Sequence, residues 1–424
     1  MSDENKQLNI GFISTRFSGT DGVSLETEKW EQVFTEFGHK IFWFAGELDR
    51  ELQQSHLVEE AFFNHPDNLR LNKSLFGTQK RSRSTTNLIN NRKEFLKDKL
   101  YQFISDFRID ILIPENCLAI PMHIPLGMAL TEIIIETQIP VIAHHHDFFW
   151  ERPRFLINAV GDILSSSFPP DLPSIKHVVI NSMIQKDLAA KRGISSTVIY
   201  NVVDFDNVHS AIDEYNKDFR RDLGFDEDDI LILQPTRVVS RKGIEQALYL
   251  LKNLNLPKAK LLISHSAGDE GADYFDWIIE SAEQQEIPVY FIYNHLHDKR
   301  KIDESGKKLY CLWDVYPHVD LVTYPSLYEG FGNAFLEAVY FKKPLLVNRY
   351  SVYIVDIEPK EFDVVAIDGY LTQKSVQQVR DVLQNESRRK EMVEKNFLLG
   401  KKYFSLSLLR LRLGAILSSI YGEI

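Results

Sequence analysis

Two cysteines, Cys117 and Cys311, are all that the 424 residues contain. They stand far apart and neither belongs to a Cys-x-x-Cys pair. That excludes a disulfide framework and fits a reducing, cytoplasmic setting. Long apolar runs are missing as well. The longest, around Ile133–Ile135, is short and interrupted by charges, against the ~18 residues that a bilayer span requires. The polar start, Met1-Ser-Asp-Glu, carries no signal-peptide pattern. A peripheral contact is the one membrane role left open. Basic charge is in deficit, with 49 Lys and Arg against 60 Asp and Glu and a net charge of −11. Nucleic-acid binding has the opposite footprint, so nucleic acid is not an expected partner. Internal repeats, low-complexity segments and a Gly-x-Gly-x-x-Gly dinucleotide signature are absent too. What remains is ordinary for a globular protein, 44% hydrophobic and 26% charged, with chain enough for two domains.

Apolar runs of strand length alternate with helical patterns along most of the chain, which predicts α/β architecture with parallel sheets. Strands are expected over Leu8–Ser14, Ile41–Ala45, Ile109–Pro114, Val141–Ala143 and Lys176–Asn181. Helices are expected over Ser24–Phe37 and Arg92–Phe107, and after Ser182 as a cap. Near Val202–Asn207 this series ends and a second begins at Ile230–Thr236, continuing through Leu261–Ser264, Val289–Tyr293, Leu321–Tyr324 and Pro344–Asn348. The expected fold is therefore two Rossmann-like domains facing a cleft, residues 1–204 and 205–395, with a helical tail over 396–424.

One stretch carries more chemistry than the rest. Tyr324-Pro-Ser-Leu-Tyr-Glu329-Gly-Phe-Gly332-Asn-Ala-Phe-Leu-Glu337-Ala sets two carboxylates eight residues apart between a strand and a helix. A strand, a glycine turn and a helix in that order expose backbone N–H groups at a helix start, where anions bind. An acid beside an anion site makes sense for a sugar nucleotide, whose diphosphate takes the N–H groups and whose hydroxyls donate to carboxylates. A second stretch, Pro235-Thr-Arg237-Val-Val-Ser-Arg-Lys242-Gly243, puts cations at another strand-to-helix turn, suited to a diphosphate. Standing alone it would read as a solvated basic turn.

The first stretch resembles the E-x7-E motif of the retaining glycosyltransferases of family 4, which have the GT-B fold; Pro325-Ser, Glu329-Gly-Phe-Gly and Leu336-Glu337-Ala match. The second resembles the same family's G-R-x-x-x-x-K-G donor-phosphate motif, with Thr236 where Gly is usual. The resemblance implies an acceptor-side first domain, a nucleotide-sugar second domain and a final helix returning to the first. It implies that Glu329 holds the donor sugar and Glu337 the ribose. Arg237, Lys242 and the backbone amides of Gly330, Phe331, Gly332 and Asn333 would take the diphosphate. Tyr200-Asn-Val-Val-Asp204 is similar to the family's domain junction, with Val202 in place of Gly.

Three further features are weaker. Gly22 opens the first helix, where its lack of a side chain lets backbone approach a ligand; the family often has a Gly pair there, and only Gly22 carries over. His144-His145-His146 ends a strand, and alternation directs His144 and His146 to one face. Zinc needs three or four converging ligands, and no His-Glu-x-x-His or cysteine cluster completes the set. His146-Asp147 falls where the family has a His-Asp pair reaching the donor sugar, which implies a hydrogen bond from His146 to a sugar hydroxyl. Lastly, Lys73, Lys80, Arg81, Arg83, Arg92 and Lys93 cluster between Arg70 and Lys99. They read as a solvated mobile loop or, more sharply, as an electrostatic funnel in which Arg81 and Arg83 meet an anionic acceptor.

The expected activity is hexose transfer, with retention, from a UDP- or GDP-linked sugar to a hydroxyl of a small-molecule, glycan or lipid-linked acceptor. Lys and Arg take the role that a metal plays elsewhere, so neither a cofactor nor an essential metal is expected. The rivals are a phosphorylase or epimerase on the same fold, and an inactive sugar-nucleotide sensor or scaffold.

Overall fold

The computed structural model describes residues 7–19, 22–207, 212–267 and 272–422. The chain divides into two compact units, Met1–Asn201 with Leu409–Ile424, and Val202–Leu408. The first is built on β1 (Asn9–Ile13), β2 (Lys40–Ala45), β3 (Ser55–Leu57), β4 (Ile111–Pro114), β5 (Val141–His145), β6 (Ile175–Val179) and β7 (Ser196–Val198). Their spatial order is β3-β2-β1-β4-β5-β6-β7. The second contains β8 (Ile230–Gln234), β9 (Ala259–Ile263) and β10 (Val289–Phe291). A two-stranded ribbon follows, β11 (Lys301–Ile302) with β12 (Lys308–Leu309), and then β13 (Leu321–Tyr324), β14 (Leu345–Asn348) and β15 (Val365–Ile367). Its main sheet runs β10-β9-β8-β13-β14-β15. Both main sheets are parallel, and their central strands, such as Ile111–Ile113 and Leu231–Leu233, are apolar and fully buried. Continuous apolar runs are what a sheet covered by helices on both faces demands.

The order of strands decides where ligands can sit. In each sheet the chain builds outward from its first strand and then crosses to that strand's other side. The reversal falls between β1 and β4 in one unit and between β8 and β13 in the other. At such a reversal a crevice lies outside the carboxyl ends of the two strands.

Several elements depart from their expected bounds for visible reasons. The helix expected from Arg92 begins at Arg83 and runs to Phe107, because the Ser82 hydroxyl accepts from Thr85 N–H at 3.1 Å and caps it. Ile89, Leu96, Leu100 and Phe103 bury its inner face. The basic stretch is therefore largely helix and not a mobile loop, and several of its cations are paired. Arg92 lies 2.6 Å from Asp67, Lys93 2.5 Å from Glu132 and Lys97 3.0 Å from Glu132. The cap of helix Ser182–Arg192 is Asn181, whose side chain accepts from Ile184 N–H at 2.7 Å; Ser182 is already helical. The tail is two helices, Glu386–Tyr403 and Leu406–Tyr421. In the second, Leu409, Leu413, Ile416 and Leu417 are buried at helical spacing. Arg410 Nη2 reaches Glu36 Oε1 at 3.0 Å, and the Tyr421 hydroxyl donates to the Asp110 carbonyl at 2.9 Å. Among the described residues no helix is long and apolar enough to cross a membrane.

Candidate active site

The two stretches that stand out in the sequence leave β8 and β13, the strands on either side of the reversal in the second unit. Their loops interlock. Leu327 N–H donates to the Arg241 carbonyl at 2.8 Å. Gly243 has φ of +61°, and a Cβ there would lie 2.4 Å from the Pro325 carbonyl oxygen. Only glycine combines that left-handed backbone with that approach. Gly332 is held similarly, with φ of +129° and a would-be Cβ 2.4 Å from the Tyr350 hydroxyl. Tyr350 donates that hydroxyl to the Phe331 carbonyl at 2.7 Å. Each glycine is the residue from which a helix starts, Ile244–Leu254 and Asn333–Tyr340 respectively. Two helix N-termini, with the positive ends of their dipoles, thus open at one crevice.

Between the loops, Lys242 Nζ donates to Glu329 Oε1, and each side chain is only 11% exposed. Burial pulls the Lys242 ammonium below the usual lysine range, and the Glu329 charge opposes that shift. Lys242 Nζ also lies 5.9 Å from the Tyr324 ring centre. Burial, and then the Glu329 carboxylate, push the Tyr324 phenol well above its ordinary value. Arg237 is exposed on the same loop. Glu337 lies in the helix Asn333–Tyr340 and accepts from the Tyr316 hydroxyl at 2.7 Å and from Trp313 Nε1 at 3.4 Å. Those bonds orient it. Gly330 and Asn333 are half-buried beside it in sequence. Phe331 lies between Gly330 and Gly332. Its ring is buried against Phe404, with centroids 5.4 Å apart, so backbone is all it can present to a diphosphate. His265, after β9, joins the group unannounced. Burial, then the charges of Lys242 and Arg237, hold it at about 4, and its Nδ1 lies 2.7 Å from the Ser264 hydroxyl.

In the first unit His144 and His146 do share a face, and both meet Glu115. His144 Nδ1 is 2.9 Å from Glu115 Oε2, and His146 Nε2 is 3.5 Å from the same oxygen. All three are buried, and Trp30 stacks on His144 with ring centroids 4.2 Å apart. Burial pushes Glu115 up to about 7 and His144 down to about 3, and lowers His146. The trio brings one ligand atom each within 4.8 Å of one another. A carboxylate and two imidazoles are a donor set that a transition metal accepts, and the Glu115–His144 hydrogen bond accounts for the same geometry. His145 points the other way, to His177 Nδ1 at 2.9 Å. Asn116 Oδ1 accepts from His146 N–H at 3.0 Å, and its Nδ2 donates to Asp147 at 2.9 Å, so the His146-Asp147 backbone is held in place.

Arg81, expected in the funnel, is already paired. It forks onto Asp162 at 2.6 and 2.5 Å and donates to the Ala159 carbonyl at 2.9 Å. The Asp162 carboxylate raises its pKa further. Arg83 is exposed in the first turn of its helix, and Gly22 is the exposed first residue of Gly22–Glu36. Thr20 and Asp21, which precede Gly22, lie outside the described residues.

The family model described as glycosyl transferases group 1 matches residues 216–397, which hold both interlocked loops. The mannosylglucosylglycerate synthase of Thermotoga maritima is 33% identical over 427 residues, covering 94% of this chain and 97% of that one. The chain belongs to the group 1 glycosyltransferases. The enzyme of the same description from Petrotoga mobilis is 32% identical, over 85% of this chain and 86% of its own. A glycosyltransferase of Rickettsia africae superposes with a TM-score of 0.69 at 14% identity, over 98% of each chain. This group 1 glycosyltransferase therefore has the GT-B fold of two parallel-sheet domains. The residues its sequence did not disclose are Glu115 and His265. Glu115 stands 29 residues before His144, with no local pattern tying them. His265 follows a buried strand, and that position at a strand's carboxyl end was its one signal.

Proposed function

We propose that this group 1 glycosyltransferase is a retaining enzyme of the family 4 type. It moves a mannosyl group from a nucleotide-diphosphate sugar to a hydroxyl of a glucosylglycerate-type acceptor. The buried Lys242–Glu329 pair at the β8/β13 crevice carries the reading, since it joins a phosphate-binding cation and a sugar-binding acid at one point. Match to the mannosylglucosylglycerate synthases over nearly the whole chain supports the choice of acceptor.

Departure of the diphosphate puts negative charge on its oxygens and positive charge on the sugar ring. Arg237, Lys242 and the amides of Gly330–Asn333 stabilise the former in a site already arranged for it. Glu329 holds the sugar hydroxyls and its charge favours the cationic ring. Glu337, oriented by Tyr316 and Trp313, takes the ribose. The leaving phosphate accepts the acceptor's proton on the face it vacates, which retains the anomeric configuration without a covalent sugar–carboxylate bond. His146 needs only its neutral ring to hydrogen-bond a sugar hydroxyl.

The test is incubation of the purified chain with UDP- and GDP-linked mannose and glucose, with and without glucosylglycerate. Products are read by mass and by the anomeric coupling constant. Transfer of one hexose with the donor's configuration is expected. Inversion would remove the mechanism, and tight donor binding without turnover would favour the sensor.

A further inference from the structure

The first unit has its own reversal of strand order, between β1 and β4, and a cavity of about 160 Å³ lies there. That volume is below the roughly 300–1,000 Å³ of a whole small-molecule site, so it suits one end of a ligand. Arg16 lines it from the loop after β1, and Asn116 and His123 from the loop after β4, with Phe63 and Met122 as apolar walls.

Most of its polar lining is already committed. Asn116 is bound to His146 and Asp147 as described above. His123 Nδ1 accepts from Leu126 N–H at 3.2 Å and its Nε2 lies 2.9 Å from the Glu60 carbonyl. Burial lowers His123 to about 4, so it is neutral near pH 7. Glu115, at the cavity's base, has both oxygens within 3.1 Å of His144 Nδ1. Arg16 is thus the lining residue with a full positive charge. Its guanidinium sits 5.4 Å from the Phe63 ring centre, where cation–π attraction holds the plane. A guanidinium has five N–H donors in a flat fork, enough to serve a planar anion beside contacts of its own.

We infer that Arg16 is a specificity-determining residue of this enzyme, reading the carboxylate at the three-carbon end of the acceptor in the β1/β4 cavity. The inference rests on the proposed acceptor class and adds the residue that selects it. A carboxylate pairs with Arg16 in two parallel hydrogen bonds, and the short carbon chain fills the space against Phe63 and Met122. A neutral alcohol at the same carbon offers one weaker bond and leaves a half-buried cation less well satisfied.

The experiment compares glucosylglycerate with its reduced counterpart, glucosylglycerol, at saturating donor, in the full chain and in Arg16→Gln and Arg16→Lys. Hydrogen bonds to charged groups contribute about 1.5–3 kcal/mol, so the parent should prefer the acid by roughly 10–100-fold in kcat/KM. In Arg16→Gln that ratio should fall towards one, mostly through a higher KM for the acid. Arg16→Lys, which keeps the charge and loses the fork, should lie between. A ratio in Arg16→Gln within threefold of the parent's overturns the inference and leaves the proposed function standing. So does an equal loss on both acceptors with a lowered melting temperature. A parent that glycosylates neither compound overturns both.

Discussion

Replacing Lys242 by Met keeps the aliphatic stem and removes one charge from a pair whose side chains are each 11% exposed. Breaking a fully buried pair costs ~3–5 kcal/mol, because a charge is left without its partner. The Tyr324 hydroxyl, which bonds Glu329, and the remaining exposure bring the expected loss to about 2–3 kcal/mol. For a domain of this size each kcal/mol moves Tm by roughly 2–4 °C, so a fall of about 4–12 °C follows. Catalysis should suffer more. A lost donor to developing oxyanion charge typically lowers kcat by roughly 10²–10³-fold. The assay is the initial rate of hexose transfer at saturating donor, with circular dichroism and a melt on the same sample. The double variant Lys242→Met/Glu329→Gln should be less destabilised than the two single losses summed, since no orphan charge remains. A folded Lys242→Met with kcat within threefold of the parent, or strictly additive stability losses, would refute the reasoning.

Three other outcomes are expected. Gly243→Ala should abolish most transfer, because a Cβ would meet the Pro325 carbonyl at 2.4 Å in a left-handed backbone that alone costs about 1–2 kcal/mol; full activity would show that the loops need not interlock. Arg81→Gln should lower stability by about 1 kcal/mol, its Asp162 partner being well exposed, and leave acceptor KM unchanged; a raised KM would restore the funnel. Acid should loosen the first unit. His123, His144 and His177 are held by burial at about 4, 3 and 4, below the unfolded value of 6.5. The folded state thus refuses protons that the unfolded chain accepts, and stability present above pH 6.5 is lost as pH falls towards 4. Glu115, raised to about 7, works in the opposite direction over that range but is outnumbered. Hydrogen exchange of β5 and β6 amides, corrected for intrinsic rate, should therefore be faster at pH 5 than at pH 7; equal protection would contradict this.

The reach of the sequence followed the range of each interaction. Glu329, Gly332 and Glu337 stand in one short segment whose strand, turn and helix are set by neighbouring residues, so the arrangement could be read directly. Lys242 was readable by charge, although its contact with Glu329 spans 87 residues. The crevice behind it follows from parallel strands and one reversal of order. The role of Arg81 was not readable, since its partner Asp162 lies 81 residues away in an unrelated helix. The same holds for Glu115, whose carboxylate meets its histidines only once β4 and β5 pair. Ser82 did carry a signal, a capping hydroxyl three residues before Thr85. It was masked by the basic run around it, which looked solvated because its acidic partners lay elsewhere.

The last helix belongs to both halves, as Leu406–Leu408 falls in the second unit and Leu409 onwards in the first. Protein synthesis runs in one direction. The amino-terminal sheet is therefore made early but must wait for the much later helix Leu406–Tyr421 before its unit is whole. Until the ribosome has released that segment, the apolar surface that Leu413 and Leu417 cover stays wet. Maturation of the earlier half is thus tied to completion of the later one, so a polypeptide broken off mid-translation lacks the piece needed to finish its own beginning.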